Sequence, residues 1–371
     1  NATPVSHEPL TGGDKTAYIR YTAGLTGRPK GAMLTHENIR YSTDETLRML
    51  RLRTDDTVLA TIPFYHPFGS TLQTYLCLRA GASLLLQTHF DPQEAYVLLR
   101  GGRANVLIAL PSVLTGLAEL EYSEEEEDAE EPTLWFTACG GGPLDPLVQN
   151  RFESRFKTRV ATVYGTCETG PTICINPSHL YDTPQGAFGR PIGGMKLRIV
   201  DEEDHEVAVG DDGEIVVQGS GVFQGYWNRP DATDQTIKDG WFHTSDLGHM
   251  DLNGWVYGVG RLHDRINKGG FSVYPREVES ILNAHPQVLA SAVIGEADAK
   301  IGEEIVAYVV PRRGTTLQDR DLLQYCEERL ARYKVPKRIT FVRRLPRNPG
   351  GTVMRRALRL GWKDTENGAE S

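Results

Sequence analysis

Five short apolar runs punctuate the chain between residues 57 and 165: TVLATIPF (57–64), ASLLLQ (82–87), NVLIAL (105–110), LWFTA (134–138) and RVATVYG (159–165). Each reads as a buried strand, and the helix-length segments between them predict the βα rhythm of a largely parallel sheet. The acidic run EYSEEEEDAEEP (121–132) interrupts that rhythm and reads as a solvated loop or helix end. From 186 to 260 the pattern shortens to turn-separated strands, as in MKLRIVDEEDHEVAVGDDGEIVVQG (195–219), where GDDG predicts a tight turn and the whole a small antiparallel β unit. Beyond GRLHDRINKGG (260–270) come a helix PREVESILNAH (275–285), strands LASAVIG (289–295) and EIVAYVV (304–310), and a helix LQDRDLLQYCEERLARY (317–333). The expected organisation is α/β: a large domain over 1–260, and a small α+β domain over 261–371.

Composition narrows the classes. With 371 residues, 39% hydrophobic and 24% charged, the chain has the make-up of a soluble globular protein of two or three domains. No apolar run approaches the ~20 residues that span a bilayer. The formal net charge of -9, without a continuous basic stripe, argues against a nucleic-acid partner. Cys77, Cys139, Cys167, Cys174 and Cys326 are scattered, odd in number and without CxxC spacing, so neither a disulfide framework nor a zinc site is expected. A cytoplasmic setting is the default, and the start at Asn1 carries no signal-peptide pattern. Nothing in the pattern sets an oligomeric state.

Four motifs carry chemistry. In YTAGLTGRPKGAMLTHEN (21–38), Gly24, Gly27 and Gly31 let backbone N–H groups approach phosphate, Thr22 and Thr26 add hydroxyls, and Lys30 adds a cation; the spacing is not that of a Walker loop. In ACGGGPLDP (138–146), Gly140, Gly141 and Gly142, followed by Pro143, strip side chains from a strand end, where ligands of open α/β sheets sit. In VYGTCETG (163–170), Tyr164 offers a ring to a base and Glu168 a carboxylate for Mg²⁺ beside phosphates. GWFHTSDLG (240–248) and GVGRLHDRINKGG (258–270) supply Asp246 for ribose hydroxyls and Arg261 for ribose or phosphate.

In this order the motifs resemble the adenylate-forming superfamily of acyl-CoA synthetases, peptide-synthetase adenylation domains and luciferases, over roughly Tyr18 to Leu360. The first loop is similar to the family's Thr-Ser-Gly-Thr-Thr-Gly-x-Pro-Lys-Gly, YGTCE to its Tyr-Gly-x-Thr-Glu, HTSDLG to its Thr-x-Asp, GRLHDRINKGGFSVYPREVE to its hinge, and LPRNPGGTVMRR (345–356) to its terminal lysine motif. PFYHPFG, GVFQGYWNRPDAT and GEEIVAYVVPR look most like fatty-acid and aryl-acid CoA ligases. The resemblance implies a large domain of parallel βαβ sheet plus a small β unit, with a C-terminal α+β lid. It implies ATP, Mg²⁺ and CoA, a carboxylic, fatty-type acid, and two half-reactions: acyl-AMP formation, then thiolysis. It also implies nucleotide contacts from Thr22, Ala23, Gly24, Leu25, Thr26, Gly27, Gly141, Gly142, Pro143, Tyr164, Gly165, Thr166, Cys167, Asp246 and Arg261. Catalytic positions fall on Lys30, Glu168 (metal) and Thr352, the hinge on Asp264, the CoA path on Gly269 and Gly270, and the acyl-pocket guard on His66.

Four positions depart from the pattern. Ala23 stands for Ser, Leu25 for Thr, Cys167 for Thr, and Thr352 for the adenylation lysine. All touch the first half-reaction, and one lost transition-state donor costs roughly 10²–10³ in rate. The resemblance therefore implies a CoA ligase with impaired adenylation; the alternatives are a non-catalytic binder of AMP or acyl-AMP, or an adenylation enzyme delivering to a carrier protein. The family's N-terminal subdomain is largely missing, only residues 1–20 preceding the loop, and the expectation is a fragment.

Overall fold

The computed structural model describes residues 15–22, 29–120, 134–347 and 352–362. The loop positions Ala23, Gly24, Leu25, Thr26 and Gly27, and the acidic run at 121–132, lie outside the described residues. The chain divides into two compact units: one holds the described residues of Asn1–Asp211, Ile215–Thr244 and Met250–Tyr257, the other those of Asp212–Glu214, Ser245–His249 and Gly258–Ser371.

In the first unit the five apolar runs become parallel strands in the order Ser83–Leu86, Thr57–Ala60, Val106–Ala109, Phe136–Gly140 and Val160–Tyr164. Side chains alternate across a strand, so a strand covered on both faces reads as an unbroken apolar run. Val106 and Ile108 enter one apolar cluster with Val58, Phe136 and Ala138, while Leu107 and Ala109 enter another with Leu59, Phe152 and Phe156. The flanking helices carry start signals. Thr35 and Asn38 form a reciprocal cap on His36–Leu50, and Asp91 and Asp145 cap Pro92–Arg100 and Pro146–Phe156, both with proline at the first position.

Past Val160–Tyr164 the sheet turns antiparallel through Cys174–Asn176 and Ala187–Pro191. Cys174–Asn176 thus covers the Val160–Tyr164 edge of the parallel strands, and Lys196–Val200 and Gly213–Gln218, expected as the small β unit, lie at the far end of the same strand order. Elsewhere, the strands Thr16–Tyr21 and Gly31–Thr35 pair antiparallel, and Gly225–Tyr226 adds a third strand to them.

The second unit is an α+β layer. Val288–Asp298 and Gly302–Pro311 form a long antiparallel pair, longer than the apolar runs suggested because backbone pairing continues through polar residues to Asp298↔Gly302. Arg338–Phe341 joins it in parallel. Val293, Ile305, Ala307 and Val309 face the helices Pro275–Asn283 and Asp319–Glu327; Ile294, Val306, Tyr308 and Val310 face Leu345 and Leu358. The helix expected over 317–333 ends at Glu327, and a 3-10 turn at Arg332–Lys334 leads to Pro336.

Candidate functional site

Because Phe136–Gly140 and Val160–Tyr164 are parallel neighbours, Gly140–Gly142 and the stretch from Tyr164 to Glu168 leave the sheet side by side at its carboxyl edge. Glycine is required here by geometry. A Cβ on Gly140 would lie 2.1 Å from the Val163 carbonyl oxygen, and Gly141 has φ +77 with a Cβ position 2.9 Å from Leu110 and 3.6 Å from the His66 ring. His66 thus stands directly against the second glycine motif. Its Nδ1 accepts from the Phe68 N–H at 3.2 Å, which leaves the ring proton on Nε2. Burial, and then the nearby Arg20 charge, push the His66 pKa down to about 4, so the ring is a neutral donor at pH 7. The chain runs from there into a π-helix, Phe68–Tyr75, a rare conformation that is frequent at functional sites.

Lys30 and Glu168, read separately in the sequence, meet through a third residue. The Tyr226 hydroxyl donates to Glu168 Oε1 at 2.8 Å, and Lys30 Nζ lies 4.4 Å from the centroid of the same ring. Both Tyr226 and Glu168 are buried. Burial, with the adjacent carboxylate, holds the Tyr226 pKa well above its usual value, so it remains a donor. The Thr22 N–H donates to the Lys30 carbonyl at 2.9 Å, closing the base of the first loop. Tyr164 is buried with one ring face stacked on Phe188, centroids 4.3 Å apart. Thr166 donates its N–H to Thr169 Oγ1 at 3.0 Å, shaping the turn that carries Cys167 and Glu168.

In the second unit Arg261 Nε donates to Asp246 Oδ1 at 3.0 Å, pairing the two residues expected at a ribose. Asp264 receives Arg355 Nη1 at 3.2 Å, while Arg355 Nη2 donates to both Glu279 oxygens at 2.7 Å. Burial pulls the Arg355 pKa down, but Glu279 and Asp264 outweigh it and the net direction is up. The Gly269 N–H donates to the Ile301 carbonyl at 2.8 Å and the Gly270 N–H to Asn267 Oδ1 at 3.1 Å. Thr352 lies beside the Arg347–Val353 bridge and brings a short, uncharged side chain.

Three residues escaped the sequence reading: Tyr226, Arg355 and Arg20. The first two lie inside quoted motifs, but their motifs do not name their partners. Arg20 left one signal, a charge inside the strand TAYIRY.

A family model described as AMP-binding enzyme matches residues 2–227, and one described as AMP-binding enzyme C-terminal domain matches 277–352. The long-chain-fatty-acid–CoA ligase of Salmonella typhimurium is 35% identical over 346 residues, 92% of this chain and 61% of that protein. The indoleacetate–CoA ligase of Aromatoleum aromaticum is 33% identical over 355 residues, 96% of this chain and 69% of that protein. The structure of ATP-bound MatB from Rhodopseudomonas palustris superposes with TM-score 0.88 at 36% identity, over 95% of this chain and 69% of that one. The chain therefore spans about three fifths of the length of the fatty-acid ligase it matches.

Proposed function

The chain belongs to the AMP-binding enzyme family, with acyl- and aryl-CoA ligases of the adenylate-forming superfamily among its homologues, and on that premise we propose that it is an AMP-forming acid–thiol ligase acting on a fatty-type carboxylic acid. In the first half-reaction a carboxylate oxygen attacks the α-phosphorus of ATP and pyrophosphate departs. In the second, the CoA thiolate attacks the acyl carbonyl and AMP departs.

The observation that carries this reading is the Lys30–Tyr226–Glu168 arrangement beside the glycine-rich carboxyl edge. Lys30 supplies a cation for phosphate, and Tyr226 fixes the orientation of the one carboxylate. Among the described residues no group of three or more His, Cys, Asp or Glu could hold a metal by itself. A single carboxylate suits Mg²⁺, which takes one or two carboxylates together with substrate phosphates and water. That ion would neutralise phosphate charge. Neutral His66 offers its Nε2–H at the expected acyl pocket, Asp246 with Arg261 serves ribose, Asp264 is the hinge, and Gly269 and Gly270 flank the thiol path. Thr352 places no cation at the carboxylate and α-phosphate, so adenylation is the weak step.

The test compares the two half-reactions. Acid-dependent ATP–pyrophosphate exchange is expected to be slow with octanoate, palmitate or indoleacetate, whereas synthetic octanoyl-AMP and CoA give octanoyl-CoA much faster. Equal rates from both routes would refute the selective weakness. Thr352 also favours a second reading, a non-catalytic acyl-AMP or AMP binder, which failure of both routes with AMP still bound would support. Product release that depends on a carrier protein would instead point to carrier delivery.

A further inference from the structure

Arg20 lies in the strand Thr16–Tyr21, just before the phosphate-type loop, and is only 6% exposed. Its Nη2 donates to Ser70 Oγ at 2.7 Å and to Thr71 Oγ1 at 2.8 Å, two neutral hydroxyls of the π-helix. Its Cζ lies 5.0 Å from the centroid of the Tyr18 ring, but among the described residues the buried Nη1 has no hydrogen-bond partner and no carboxylate pairs with the guanidinium. A buried cation held only by neutral groups, with one N–H edge unfilled, is among the most costly placements in a fold. Clamping the strand to the helix needs only Nη2. The other edge is left over.

What lies near the guanidinium belongs to the site. Ser70 sits one turn after His66 and donates to its carbonyl at 3.2 Å, and the His66 ring stands against Gly141. The Arg20 charge acts on the His66 ring, and Cys167, the residue before Glu168, lies close enough to act on Arg20. Glu168 is bonded to Tyr226.

We propose that Arg20 is an anion-binding residue of this site, its Nη1 edge taking a ligand oxyanion, a carboxylate or phosphoryl oxygen, beside His66 and Cys167. The name of the ligand rests on the adenylate-forming reading; the need for an anion rests on the buried charge alone. Planar guanidinium favours a two-oxygen group, and lysine cannot reproduce that fork.

Calorimetry of the full chain with AMP, adenosine, octanoate and octanedioate, on wild type, Arg20→Met and Arg20→Lys, tests this, with thermal unfolding as the check on folding. If the oxyanion is phosphoryl, Arg20→Met weakens AMP by about tenfold or more, the size of one charge-assisted hydrogen bond, and leaves adenosine unchanged. If it is a carboxylate, the acids weaken instead, and loss of a preference for octanedioate over octanoate identifies a second carboxyl group. Arg20→Lys recovers part of either loss. Should Arg20→Met not fold, Arg20→Lys decides, with about a threefold loss expected on the affected ligand. Binding of all four compounds unchanged in the folded variant overturns the proposal. Wild type that binds neither AMP nor adenosine sinks the adenylate reading while the acids still decide Arg20; wild type that binds none of the four overturns both.

Discussion

Replacing Arg355 by methionine removes the cation from between two carboxylates in the second unit. Arg355 makes three charge-assisted hydrogen bonds, two to Glu279 at 2.7 Å and one to Asp264 at 3.2 Å, with its side chain 19% exposed against 11% and 16% for the acids. At that burial solvent screening is weak, and breaking such a group by deleting one partner costs about 3–5 kcal/mol. Glu279 keeps the Val293 N–H on Oε1 at 2.8 Å and lies within the field of Arg276, which argues for the lower end. Asp264 and Glu279 then face each other as like charges, which argues against anything smaller. We expect Arg355→Met to destabilise the second unit by about 3 kcal/mol, roughly two orders of magnitude in the opening equilibrium. The assay is native-state hydrogen exchange of amides in Val288–Asp298 and Gly302–Pro311, the paired strands of that unit's core. Adding Glu279→Gln should recover part of the loss, since it removes the charge facing Asp264 while its amide oxygen still accepts the Val293 N–H. Exchange accelerated by less than about threefold, some 0.7 kcal/mol, would refute the assignment of a net stabilising role to this network.

Three further outcomes follow from single contacts. Thr352→Lys is expected to raise pyrophosphate exchange by at least about tenfold, recovering part of the effect of one aimed donor; no change in a folded variant would show that this position is not limiting. Tyr226→Phe removes a donor from a buried carboxylate and should cost about 1.5–3 kcal/mol in urea unfolding, with a double-mutant cycle against Glu168→Gln showing coupling between the two sites. A His66 pKa of about 4 in the fold, below the ordinary value, means the unfolded chain takes up its proton first as pH falls. Stability should therefore be full above about pH 7 and decline from about 6.5 towards 4, and His66→Gln should flatten that slope; superimposable pH profiles for the two proteins would count against a buried, neutral ring.

How much of this was legible beforehand depends on how local each signal is. The parallel strands announced themselves because burial on both faces demands continuous apolar residues such as Val106 to Ala109, and that demand is met within a few positions. The glycines at 140 and 141 were equally visible, since backbone crowding at a strand end can be met only by removing the side chain. Motif order added the family, the candidate nucleotide residues and the unexpected Thr352. Pattern could not supply the partners. Tyr226 reaches Glu168 across 58 positions, Arg20 reaches Ser70 across 50, and Arg355 reaches Asp264 across 91. A hydroxyl, a cation or a carboxylate gains its meaning from the desolvated group beside it, and only the folded chain places such groups within hydrogen-bond distance. Sequence by itself therefore determined which strands lie buried and which motifs are candidates for a site; tertiary structure decided which acid is held by a tyrosine, which is held by an arginine, and that the buried Arg20 keeps an N–H edge that no described residue fills.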